Sequence, residues 1–86
     1  MDYRIRLLLL AETYAAATNR SVPRIATLIR NDGKFFAGLK QGRGCTVDTY
    51  EDCLQWFSNN WPPDLRWPTE AVARPEPDAA AKAGAA

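Results

Sequence analysis

Helical periodicity assigns this chain to the all-α class: four helices, then a Trp/Pro-rich C-terminal extension and a disordered tail. Three observations carry the assignment. Apolar residues recur at three- and four-residue spacing in four separate stretches. Helix-opening residues stand ahead of two of them (Ser21 and Thr46), and turn residues such as Arg30-Asn31-Asp32-Gly33 and Gly42-Arg43-Gly44 separate the later stretches. Every Ile, Leu, Phe, Tyr and Trp lies within residues 3–67, so the packed unit is placed at residues 1–67 and the tail at 68–86. A chain of 86 residues allows one small domain.

Residues 3–18 form the first expected helix. Leu7, Leu10, Tyr14 and Ala17 recur at i, i+3, i+7 and i+10, and the run of leucines at 7–10 points to a helix buried on most sides or touching a partner subunit. The same run superficially resembles a secretory leader. Glu12 interrupts it, however, before it reaches the roughly 7–15 apolar residues such a segment needs. No stretch approaches the ~20 apolar residues that cross a bilayer, and the expectation is a cytoplasmic protein with no membrane contact.

Residues 21–42 give the chain its functional outline. Ser21 caps a helix whose apolar face is Ile25, Ala26, Leu28 and Ile29, and Asn31 or Asp32 can cap a second helix near 33–41. Helix, short turn, helix is the outline of a helix-turn-helix DNA reader. At 100° per residue Phe35, Phe36 and Leu39 share the core side of the second helix, while Lys34, Ala37 and Gln41 cluster opposite, with Gly38 and Lys40 at the edges. Lysine can bond guanine, glutamine adenine, and an alanine methyl can meet the thymine methyl. Gly38 weakens a helix by roughly 0.5–1 kcal/mol relative to alanine, which implies a close approach to its backbone. An ordinary amphipathic helix with a solvated face has the same spacing.

Charge weighs against that bland reading. Between Arg20 and Gly44 six basic residues (Arg20, Arg24, Arg30, Lys34, Lys40, Arg43) face one acid, Asp32, so the segment carries +5. Residues 45–78 carry −5, leaving an overall +1 that hides a strong polarity along the chain. The basic block coincides with the helix-turn-helix outline, where a polyanion would dock.

After the Gly42-Arg43-Gly44 loop, Thr46 caps a fourth helix whose first turns hold Asp48, Glu51 and Asp52, the sign the helix dipole prefers there. Tyr50, Cys53, Leu54 and Phe57 continue at i, i+3, i+4 and i+7 and should close the core, while the acids keep this helix away from a duplex. Asn59 and Asn60 can end the helix, and Pro62 and Pro63 cannot continue it. Trp61, Leu65 and Trp67 then either fold back over a core too small to seal itself, or form a homodimer patch. From Thr69 onward the composition cannot offset the entropy of ordering, and disorder is expected.

These residues resemble a family. Ser21-x-x-x-Ile25-Ala26, Asp32 opening the next helix, Phe36 and Leu39 inside it and Gly42 after it are similar to the lambda-repressor and Cro-like (XRE-type) helix-turn-helix regulators. Thr46-x-x-Thr49-Tyr50 looks like that family's fourth helix, and Trp56-Phe57-Ser58-Asn59-Asn60-Trp61-Pro62 looks like a group of small proteobacterial and phage-related members. The resemblance covers roughly residues 3–60 and implies a DNA-binding transcription regulator of repressor type. The chain departs from the pattern in having Val22 where glutamine is frequent, Arg30-Asn31 in place of the turn glycine, and Lys40 where glutamate is frequent. Asn31 can take the positive φ that glycine would supply.

The sequence also lacks most catalytic equipment. It has no histidine, and Cys45 and Cys53 are too few for a zinc site. Eight residues of helix would separate these cysteines by about 12 Å, beyond the ~7 Å reach of a disulfide, so free thiols are expected. No cofactor, metal or small-molecule substrate is evident, and an enzyme is not expected. The reading is a sequence-specific binder of double-stranded DNA. Lys34, Ala37 and Gln41 meet base edges, Gly38 permits close approach, and Ser21, Arg24, Arg30, Lys40 and Arg43 contact phosphates. The alternative is a protein-binding adaptor (antirepressor or antitoxin-like) that uses the surface at residues 61–67. A further alternative, single-stranded nucleic acid stacked on Phe35 or Phe36, needs exposed rings.

Overall fold

The computed structural model describes residues 2–77, and all its regular structure is helical: α1 (Tyr3–Thr18), α2 (Val22–Arg30), α3 (Phe35–Lys40) and α4 (Val47–Asn60). Among the described residues there is no strand, as the periodicity predicts. None of these helices is long and apolar enough to cross a membrane.

Local chemistry sets the helix ends. The Asp2 side chain accepts from the Arg4 amide to start α1, and Asn19, at φ 57°, closes it in the left-handed region. Ser21 starts α2 by accepting from the Arg24 amide, and Thr46 starts α4 by accepting from the Thr49 amide, both as expected of side-chain oxygens at those positions. Asn31 ends α2 at φ 54° and donates its amide to the Thr27 carbonyl, so it does take the place of the turn glycine.

α1 runs through the middle, packing on α2, α3 and α4. Its buried residues are Leu7, Leu10, Ala11, Tyr14 and Ala15. The expected stripe therefore holds to Tyr14 and then turns through Ala15, leaving Ala17 in solvent. Ile25 and Ala26 of α2, Phe36 and Leu39 of α3, and Cys53 and Phe57 of α4 complete the core.

The aromatic residues after α4 settle against this core. Trp61 and Trp67 are buried and meet edge to face at 4.9 Å, with Tyr14 and Phe57 beside Trp61. Each indole finds an acceptor: Trp61 Nε1 donates to the Leu65 carbonyl at 2.9 Å and Trp67 Nε1 to the Val72 carbonyl at 2.7 Å. Of the two readings of this segment, the fold adopts core coverage. Trp61 and Trp67 themselves are thereby covered, while Leu65 is half-buried and Pro63, Asp64 and Arg66 remain exposed.

Packing continues past residue 67. Val72 is buried, and Arg74 donates from Nη2 to the Ser58 carbonyl and from Nε to Ser58 Oγ. Ser58 Oγ donates in turn to the Pro75 carbonyl, and Gln55 Nε2 to that of Glu76. The Arg74 guanidinium lies 5.4 Å from the Trp67 ring centroid. Residues 69–77 thus lie against α4 as a strap, held by one apolar anchor and several bonds to backbone carbonyls. The rest of the segment expected to be disordered, 78–86, lies outside the described residues.

Candidate nucleic-acid interface

The turn between α2 and α3 is built by Asp32. Its Oδ1 accepts from the Lys34 amide at 3.1 Å, and its carbonyl accepts from the Phe35 amide at 3.1 Å. These bonds wind residues 32–35 into a turn that precedes α3, so the helix starts at Phe35 rather than near Gly33, with Lys34 in the N-cap position. Asp32 therefore caps the turn, one step before the helix it was expected to cap. At the far end Gln41 is the C-cap, its amide directed to the carbonyls of Ala37, Gly38 and Leu39.

Side-chain placement along α3 follows the predicted faces. Phe36 and Leu39 are buried, and Phe35 is half-buried with its ring edge on Phe36 at 5.1 Å. Burial of Phe36 removes it as a stacking platform, which takes away half of the single-strand alternative. Lys34, Ala37 and Gln41 are exposed, and with Gly38 and Arg43 they line one shallow concavity. The four expected base-edge residues are thus brought together, and none of the residues lining the concavity is acidic.

The five expected phosphate residues do not form one group. Ser21 and Arg24 lie at the start of α2, whose Val22 and Pro23 share a cleft with Ala37 and Lys40. Arg30 lies at the opposite end of α2. Lys40 faces Glu12 of α1 at 3.4 Å, an exposed pair worth little in stability but a competitor for any phosphate at that spot. Arg24, Arg30, Lys34 and Arg43 are exposed and make no ion pair among the described residues.

Gly38 has a different explanation from the one its helical position suggests. A Cβ built on it would lie 3.3 Å from Cδ, 3.6 Å from Nε and 3.7 Å from Cβ of Arg43, so the close approach is made by Arg43 itself. The chain turns at Gly42 (φ 101°), and the Arg43 amide returns to the Gly38 carbonyl at 2.9 Å.

Two residues of α1 hold this loop and carry no local sequence signal. Arg4 Nη1 donates to the Gly42 carbonyl at 2.7 Å, and the Tyr3 hydroxyl accepts from the Cys45 amide at 3.3 Å. Partners roughly forty residues apart cannot be paired by spacing. Both cysteines are free thiols, as expected. Burial pushes Cys53 up to about 12 and raises Cys45 as well, so neither is poised as a nucleophile. Among the described residues no group of side chains could hold a metal ion. Comparison with protein-family models, with curated proteins and with solved structures finds no match to this chain.

Proposed function

We propose that this protein is a sequence-specific DNA-binding regulator of repressor type that places α3 in the major groove of a duplex. One observation carries the reading. The outward side of α3 presents Lys34, Ala37, Gln41 and Arg43 around a single acid-free concavity, on the chain segment with a net charge of +5. Donors for base acceptors and cations for phosphates are what such a surface offers a duplex. The likeness of residues 21–42 to lambda-repressor and Cro-like regulators points the same way. Ser21 and Arg24, beside the α3 cleft, are assigned to the phosphates on one side of the groove. Lys40 joins them once released from Glu12. Arg30 is assigned a weaker, peripheral role because it stands at the other end of α2. Two free thiols suit a reducing, cytoplasmic setting.

Selection from a random duplex library, followed by anisotropy titrations from about 50 to 200 mM salt, tests the proposal. The expected result is a defined motif and an affinity that falls linearly in log–log form with salt. Gln41→Ala should reduce discrimination between the motif and random DNA by roughly 1–3 kcal/mol. Unchanged discrimination removes Gln41 from the reading set. Absence of salt-dependent duplex binding by the wild-type chain refutes the regulator reading altogether.

A further inference from the structure

We infer that Arg43, a loop residue, is itself a base reader, and that it presents its guanidinium to a guanine from the position a side chain at 38 would otherwise hold. The inference rests on the DNA-binding reading above and deepens it. Residue 38 stands four residues after Lys34 and three before Gln41, at the edge of the outward side of α3, next to the side chains that a groove-inserted helix would display. Glycine displays none. The Arg43 stem fills that space, with Cδ and Nε at 3.3 and 3.6 Å from where the missing Cβ would be.

The placement is fixed from the backbone outward. The bond from the Arg43 amide to the Gly38 carbonyl, at 2.9 Å, ties the loop to α3, and Arg4 holds the preceding residue through the Gly42 carbonyl at 2.7 Å. The guanidinium makes no hydrogen bond or ion pair among the described residues and lines the same concavity as Lys34, Ala37 and Gln41. A planar fork of donors held there matches the paired O6 and N7 acceptors of guanine, and bidentate arginine is the commonest specific contact with that base. A phosphate contact, the simpler role for a cation in a loop, requires only charge, and lysine would satisfy it.

Arg43→Ala separates the two roles, because loss of a base reader costs one position its preference, whereas loss of a phosphate contact weakens all sequences alike and flattens the salt slope. The full chain and this variant are each selected against random duplexes, and binding to the selected duplex and its single-base variants is then titrated across salt. The expected wild-type motif contains a fixed guanine, preferred over the other bases by roughly 5- to 150-fold. In Arg43→Ala that one preference collapses to within about twofold, while the other positions and the salt slope persist. Gly38→Ala, whose methyl requires the Arg43 stem to give by a few tenths of an ångström, should weaken the same guanine and no other position. Retention of the full motif by Arg43→Ala, or an equal loss on all sequences with a shallower salt slope, overturns the inference and leaves Arg43 at most a phosphate contact, with the DNA reading intact. Failure of the wild-type chain to bind duplexes in a salt-dependent way overturns both.

Discussion

Val72→Ala tests the strap with the least disturbance elsewhere. Val72 is only 3% exposed, lying in the core with Trp61 and Trp67, although it belongs to a segment whose composition predicts disorder. The substitution removes two buried methyl groups, worth about 0.8 kcal/mol each in transfer, and leaves a small cavity. The backbone bond from Trp67 Nε1 to the Val72 carbonyl is retained, so the change isolates apolar burial. The expected loss is roughly 1.5–2.5 kcal/mol, which for a domain of this size lowers Tm by roughly 8–15 °C. Urea and thermal unfolding followed by circular dichroism measure it directly, with exposed Ala73→Ser as the control, expected within about 0.5 kcal/mol. A Val72→Ala shift no larger than that of the control would mean that residues 69–77 do not dock on α4.

Other expectations follow from the same geometry. Burial holds the Cys53 thiol at about 12 against an ordinary 9.0, so its contribution to stability is complete below about pH 9. It is lost as pH rises towards 12, at about 1.4 kcal/mol per pH unit, because only the unfolded thiol ionises in that window. Urea midpoints between pH 8 and 10.5 should therefore fall more steeply for the wild type than for Cys53→Ala, and parallel curves would contradict the burial. Asn31→Gly should unfold within a few tenths of a kcal/mol of wild type, whereas Asn31→Ala, forced to φ 54°, should lose about 1 kcal/mol. Equal stability of the two variants would argue against a left-handed residue there. Ser21→Ala should cost about 1 kcal/mol through loss of the α2 cap, with Ser21→Gly recovering most of it; a neutral Ser21→Ala would show that the cap bond contributes nothing.

Much of the candidate site was legible before any coordinates, and for one reason: α3 is short and amphipathic, and angular position alone separates Phe36 and Leu39 from Lys34, Ala37 and Gln41. What periodicity could not show was the partner of Gly38. A glycine on a helix signals that something comes close, and only the return of the loop identifies that neighbour as Arg43. The split among the cations was equally hidden. Arg24 stands near the end of α2 whose Val22 and Pro23 share a cleft with Ala37 and Lys40, and that cleft exists only through the packing of α2 on α3.

Caps, turn residues and spacing, all acting within a few residues, determined by themselves that the chain is all-α, that α1 spans residues 3–18, and that Ser21 and Thr46 open α2 and α4. They also determined the charge of the segment that carries the proposed interface. Only the tertiary structure decided that Trp61 and Trp67 are buried against the core. It alone decided that residues 69–77 lie against α4 and that Arg4 and Tyr3 hold the loop beside α3. These outcomes depend on contacts between residues far apart in sequence. Several are bonds to backbone carbonyls, which every residue type offers alike, so composition carries no trace of them.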